Sequence, residues 1–268
     1  VNIEKYSEQF RSSTPCQHVV IDNFLSTESA EKMLCNFGLN KNWQNFFSVN
    51  NQKQFRMSDT KRMDRSCCEL YQELASEEFI NLLNQIIGMD NGFFWDSGGL
   101  VETLRGGNCS LHTDSATHIV ERKWRRTINI LIYFNKNWTD EYNGGLEFWD
   151  ESLKNKVTSI SPIFNRCLIF RTNSKSWHGY PDKINCPPNM SRKLLTAWYF
   201  VEEDKEIKLY PTKYRPRPSD KYFYGFLIHA DTFLNKVFAF LRRHHLINDR
   251  IACKILGILS NLFSPQRR

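Results

Sequence analysis

Three residues of this chain have types and spacing that could hold a metal ion. His112 and Asp114 lie in Leu-His-Thr-Asp (111–114), and His178 lies in Ser-Trp-His-Gly-Tyr (176–180). Side chains on an extended segment repeat every two residues, so His-x-Asp sets an imidazole and a carboxylate on one face. A distant His adds a third ligand, and three ligands on one side leave the opposite positions open. Two imidazoles and one carboxylate so arranged suit Fe(II) that must also hold a co-substrate and O2. The motif alone is a weak signal, since two core histidines and a turn aspartate would read the same way. The surrounding sequence decides between them.

Arg192 opens Arg-Lys-Leu-Leu-Thr-Ala-Trp-Tyr-Phe (192–200), whose apolar and β-branched content predicts a buried strand. Arg192, Leu194, Thr196 and Trp198 then share one face. A guanidinium and a hydroxyl projecting together into a pocket can grip a carboxylate, with Arg supplying a two-pronged fork. Residues 126–138 predict another strand ending in a polar turn. Gly-Gly-Leu-Glu-Phe-Trp (144–149) predicts a turn and a further strand, and 164–170 predicts one more before His178.

In this order, His-Thr-Asp (112–114), Ile-Tyr-Phe-Asn-Lys-Asn-Trp followed by Gly-Gly (132–145), and His178 followed by 192–200 resemble the Fe(II)- and 2-oxoglutarate-dependent dioxygenases. The prolyl 4-hydroxylase-like branch is the most similar. The likeness covers roughly 95–202 and extends more weakly to 18–26. It implies His112, Asp114 and His178 as iron ligands and Arg192 as the partner of the distal carboxylate of 2-oxoglutarate. Tyr133 and Thr196 would hydrogen-bond the same group, and Trp198 would pack beside the cofactor pocket. The implied cofactors are Fe(II), 2-oxoglutarate and O2, with ascorbate as an optional reductant. The implied reaction is hydroxylation of an unactivated C–H bond, with a prolyl or other amino-acid residue of a peptide or protein as the leading substrate. A saccharide or lipid-linked small molecule, or a non-catalytic binding role, are the alternatives. Asp114 favours hydroxylation over halogenation, because halogenating relatives carry a small residue there. Two positions depart from the family. Leu104 stands where a co-substrate-binding Tyr is common, and the 185–189 stretch lengthens the gap between His178 and Arg192.

A double-stranded β-helix, or jelly-roll, is the fold the resemblance implies, with N-terminal helices and a C-terminal helical extension. The 268 residues, 41% of them hydrophobic, suffice for one substantial core and an appendage. Ser26 caps a helix that begins at Thr27, and residues 67–74 predict a second. Ser76 caps a third at 77–87, where Phe79, Leu82, Leu83 and Ile86 form one apolar face. Residues 42–64 read as a loop reaching over the site. His118 reads as a solvated loop residue, not a fourth ligand. The eight cysteines show no Cys-x-x-Cys spacing and read mostly as reduced thiols, although an even number leaves a secreted reading open. The N-terminus lacks the apolar core of a secretory signal, no run is long enough to span a membrane, and a cytoplasmic location is expected.

The expected boundary falls at 206, with a catalytic domain at 1–206 and a basic helical extension at 207–268. The extension carries twelve Lys and Arg against three Asp, an excess larger than the net charge of +7 of the whole chain. Helices are expected at 221–245 and 247–263. Phe226, Phe233, Val237, Phe240 and Leu241 form the stripe of the first, and Ile251, Ile255, Ile258 and Leu262 that of the second. His244 and His245 read as a polar helix end. The leading expectation packs both helices on the core or in a dimer, with the charges as a solvated face. Contact with anionic lipid ranks second and nucleic acid last.

Overall fold

Among the described residues, eleven strands curl into one jelly-roll. The computed structural model describes residues 2–37, 43–46, 48–59, 62–89, 94–118, 120–244 and 246–247. The strands are β1 (His18–Asp22), β2 (Gln44–Phe46), β3 (Asn51–Met57), β4 (Phe94–Thr113), β5 (Trp124–Tyr133) and β6 (Leu146–Trp149). They continue with β7 (Lys156–Ile160), β8 (Arg166–Arg171), β9 (His178–Tyr180), β10 (Ser191–Glu202) and β11 (Lys213–Tyr214). Their hydrogen-bonded order is β1-β8-β5-β10-β4-β9-β6-β7, with β11 and β3 also on β4. The first part of β4 pairs antiparallel with β10, and its later residues Cys109 and His112 pair with β9. One long strand therefore passes from the larger sheet to the smaller, facing one. That crossing places the metal-ligand motif at the end of the strand, between the two sheets.

The larger sheet is covered on both faces, which explains its continuous apolar sequences. On one side Ile128, Ile130 and Ile132 of β5 and Leu195, Ala197 and Tyr199 of β10 pack against helices. Those helices are α1 (Ile3–Ser12), α2 (Thr27–Leu34), α3 (Arg65–Leu74) and α4 (Glu77–Ile87). On the other side Tyr133, Leu194, Leu168 and Phe170 meet Leu146, Phe148 and Tyr180 of the smaller sheet. Ser26 and Ser76 cap α2 and α4 as their sequences predict, each side chain accepting from the backbone N–H three residues on. The helix α1 has no counterpart in the sequence reading, because Ile3, Tyr6 and Phe10 are its few apolar residues in a charged stretch.

A further expectation changes. Residues 51–57, read as part of a loop, form β3 and pair with β4. The period-two signal is missing because Lys53 has φ +49° and the register shifts between Gln52 and Gln54. What β3 buries is also polar, Asn51 and Gln54. The chain after 206 begins by adding β11 to the sheet. Tyr214 pairs with His112 and Lys213 with Thr113, and Arg215 N–H donates to Leu111 O.

Helix α5 (Tyr222–Arg243) then docks through Gly225, Ile228, Asp231 and Thr232 rather than through the predicted stripe. Asn50 Nδ2 donates to Asp231 Oδ2 at 2.5 Å in a buried contact. Phe226, Phe233, Val237 and Phe240 point outward. The buried face, which also includes Phe238 and Ala239, mixes small, polar and apolar residues. Four of the predicted stripe's large residues lie exposed, so hydrophobic periodicity selects the exposed side. Beyond its first residue the expected helix at 247–263 lies outside the described residues, as does His245, and no helix among the described residues is long and apolar enough to cross a membrane.

Candidate active site

His112, Asp114 and His178 come together. One potential ligand atom from each lies within 4.8 Å of the others. His112 and His178 are register partners across β4 and β9, with ring centroids 4.4 Å apart. Gly179 permits this approach, since a Cβ there would lie 2.8 Å from Ser110 O. Each imidazole is oriented in the same way. His112 Nδ1 lies 2.9 Å from Ser110 O and His178 Nδ1 lies 2.8 Å from Ser176 O. A carbonyl can only accept, so both Nδ1 atoms carry the proton and both Nε2 lone pairs are free for a metal. The Nε2 atoms face Asp114, at 3.7 Å from Oδ1 for His112 and 3.3 Å from Oδ2 for His178. This donor set, two neutral imidazoles and one carboxylate, fits Fe(II).

Asp114 is kept ionised by a network that sequence reasoning missed. Burial pushes its pKa up, but the Arg126 guanidinium, with His178 and His112 adding to it in their protonated form, outweighs that and holds it well below the usual carboxylate range. Asn129 Nδ2 donates to Asp114 Oδ2 at 2.6 Å, Arg126 Nε donates to Asn129 Oδ1 at 2.7 Å, and Arg126 Nη2 stands 3.6 Å from Oδ2. Arg126 also lies over the Trp198 ring, 4.1 Å from its centre, and Trp198 Nε1 donates to Thr196 Oγ1 at 2.8 Å. Thr196 therefore joins the chain that leads to Asp114. It sits four residues from Arg192, about 13 Å along an extended strand, and opposite Leu131 in the register. In this structure its hydroxyl meets Trp198 and not the Arg192 guanidinium. Trp198 lies at the same metal end.

Arg192 marks the other end of the interior face. It is fully buried. Its Nε donates to Gly144 O at 2.7 Å, its Nη2 reaches Tyr133 Oη at 3.5 Å, and its guanidinium packs on the rings of Tyr180 and Tyr133, 4.1 and 5.1 Å from their centres. Gly144, at φ +81°, is needed because a Cβ would press on the Arg192 side chain at 3.2 Å. None of these partners is anionic. A buried cation without a counter-charge is costly, so the pocket is built for an anion. Burial raises the Tyr133 phenol to about 12 against the opposing pull of Arg192, which keeps it a donor. Leu104 faces outward and is 39% exposed, whereas its neighbour Thr103 is fully buried. The 185–189 stretch packs at this end, with Asn185 N–H donating to Tyr142 O and Arg105 donating to Asn185 Oδ1. His118 Nδ1 accepts from Glu121 N–H, as a loop residue would.

The late part of the chain supports the metal end. Tyr214 packs on His112, with ring centroids 5.3 Å apart, and its hydroxyl accepts from Asn51 Nδ2. Ser110, whose carbonyl orients His112, donates its N–H to Asn50 O, and its hydroxyl meets Tyr224 Oη of α5 at 3.3 Å.

Residues 99–200 match the profile of the 2OG-Fe(II) oxygenase superfamily. The chain carries a 2OG-Fe(II) oxygenase domain. Within the curated proteins, mouse prolyl hydroxylase EGLN3 is 33% identical over 81 residues, 30% of this chain and 31% of that protein. The chain thus spans about a third of the length of the curated relatives it matches. Among solved structures, a prolyl hydroxylase from Trichoplax adhaerens in complex with a hypoxia inducible factor peptide is 20% identical. That likeness covers 74% of this chain and 90% of that one, with a TM-score of 0.54. A Pseudomonas putida prolyl-4-hydroxylase, 12% identical, also gives 0.54, over 72% and 97%. Both likenesses show that the oxygenase domain has the jelly-roll fold of prolyl hydroxylases.

Proposed function

We propose that the oxygenase domain binds Fe(II) through His112, Asp114 and His178 and 2-oxoglutarate through Arg192 and Tyr133, and hydroxylates a C–H bond of a prolyl residue in a peptide or protein. The observation that carries this reading is the pairing of two ends on one interior face. One end is a triad whose two Nε2 atoms face Asp114, and the other is a buried guanidinium with no anionic partner among the described residues. When bound, iron and 2-oxoglutarate supply the oxidising chemistry, in which O2 gives one oxygen to succinate and one to the substrate as CO2 leaves. The chain's own residues bind and orient. Ser110 and Ser176 carbonyls fix the imidazoles, Asn129 and Arg126 hold the carboxylate, and Arg192 selects a dicarboxylic co-substrate. The aromatic interior at Phe148 and Phe170 excludes water beside His178. The prolyl substrate rests on the 81-residue likeness to prolyl hydroxylase EGLN3.

Incubation with Fe(II), 2-oxoglutarate, O2 and a panel of proline-containing peptides tests the assignment. Stoichiometric succinate and a peptide heavier by one oxygen atom, located on proline by fragmentation, are expected. Succinate with oxygen on another residue would remove the prolyl substrate, and folded protein giving no succinate with any peptide would contradict the activity.

A further inference from the structure

Tyr180 follows His178 by two residues on β9 and so shares its face. Its ring lies flat enough against Arg192 to bring the guanidinium carbon within 4.1 Å of the ring centre. Its hydroxyl is 2.8 Å from Gln54 Nε2 and 3.0 Å from Thr103 Oγ1. Both of those partners are buried polar residues, on β3 and β4. Neither strand shows this in sequence, because Gln54 sits behind the bulge at Lys53 and Thr103 precedes the outward-facing Leu104.

Hydrogen-bond counting leaves one proton to assign. A phenol oxygen accepts two hydrogen bonds and donates one. Gln54 Nε2 can only donate. With Thr103 also donating, the Tyr180 oxygen is saturated as an acceptor and its proton is free for a third partner. Without an anion in the pocket, that proton can turn to Thr103 instead. The Arg192 guanidinium, which packs on the Tyr180 ring and reaches the Tyr133 hydroxyl, offers no acceptor, whereas a bound carboxylate would.

We propose that Tyr180 is a further co-substrate-binding residue: its hydroxyl, held by Gln54 and Thr103, donates to the carboxylate that Arg192 binds. The proposal rests on the reading of Arg192 as the site of the distal carboxylate of 2-oxoglutarate. Two phenols, Tyr133 and Tyr180, then flank one guanidinium and grip one carboxylate. The wall that carries Leu104 contributes Thr103 as a support instead of a ligand. A hydroxyl delivered from β9 also couples the two ends of the site, since Tyr180 and His178 are two residues apart on the same strand.

The test is calorimetric titration of the Ni(II)-loaded full chain with 2-oxoglutarate and with oxalate, a metal chelator that lacks the distal carboxylate. Wild type, Tyr180→Phe and Arg192→Ala are compared, and each variant's thermal midpoint is recorded. Tyr180→Phe keeps the ring on Arg192 and is expected to fold. It should weaken 2-oxoglutarate about tenfold, as loss of one hydrogen bond to a charged group does, and leave oxalate within twofold. Unchanged 2-oxoglutarate affinity in Tyr180→Phe, with Arg192→Ala still strongly weakened, would overturn the proposal alone. Equal weakening of both ligands would also overturn it, because a merely structural tyrosine would disturb both. Insensitivity of both variants would overturn the carboxylate reading of Arg192 and the proposal with it.

Discussion

The two ends of the interior face are held by different means. At the metal end, polar groups fix each ligand: carbonyls two residues upstream of each histidine, and the Asn129–Arg126–Trp198–Thr196 chain behind Asp114. At the Arg192 end, aromatic faces and one carbonyl hold a lone cation in place. A metal needs a fixed geometry and tolerates little motion, so its ligands are directed by hydrogen bonds. A carboxylate needs charge and donors, which several wall positions can supply. The metal end is therefore specific in its residue types, and the other end is specific only in its electrostatics.

Variants should separate the ends. The largest effect is expected from His178→Ala or Asp114→Ala, which should reduce Fe(II) binding and turnover to background while circular dichroism shows an intact sheet. Turnover retained in either variant would break the metal assignment. Arg192→Ala should come next, raising the 2-oxoglutarate requirement roughly tenfold to a hundredfold through loss of a charge-assisted pair, with Fe(II) affinity nearly unchanged. Equal effects on both would erase the distinction between the ends. Asn129→Ala should do the reverse, weakening Fe(II) by about tenfold to a hundredfold, the range found when a metal ligand loses its orienting partner. A change confined to 2-oxoglutarate would place Asn129 at the wrong end.

The smallest effect concerns the support from α5. Burial raises the Asp231 carboxyl above its ordinary value, against hydrogen bonds from Asn50 and Asn235. The unfolded chain then ionises first as pH rises. Stability should fall between the ordinary carboxylate value and the raised one, and stay lower above it. Asp231→Asn should flatten that slope and stabilise the protein slightly at neutral pH, as read by thermal midpoints across pH. A steeper slope in the variant would reverse the sign assigned to this carboxyl.

How much was legible in sequence follows the same division. His112, Asp114 and His178 stand out because few residue types ligate a metal and their spacing fits strands. The helix caps at Ser26 and Ser76 are legible for a similar reason, since a side-chain oxygen at that position has one local task. Tyr180, Asn129 and Arg126 were not, because their partners come from other strands and their types are common in sheets. Thr196 shares a face with Arg192, yet its hydroxyl accepts from Trp198, a contact that the sequence does not show. Facing direction is read from period two, but distance along the strand decides which neighbour a short side chain reaches. The docking face of α5 is not legible because Gly225, Asp231 and Thr232 interrupt its buried side while Phe226, Phe233, Val237 and Phe240 face outward.

The most direct test of the central claim is anaerobic titration of the apo protein with Fe(II) and 2-oxoglutarate, followed by visible absorption. A metal-to-ligand charge-transfer band that forms in the wild type and is missing in His178→Ala is the predicted result. Folded wild-type protein that shows no band when both are added would contradict it.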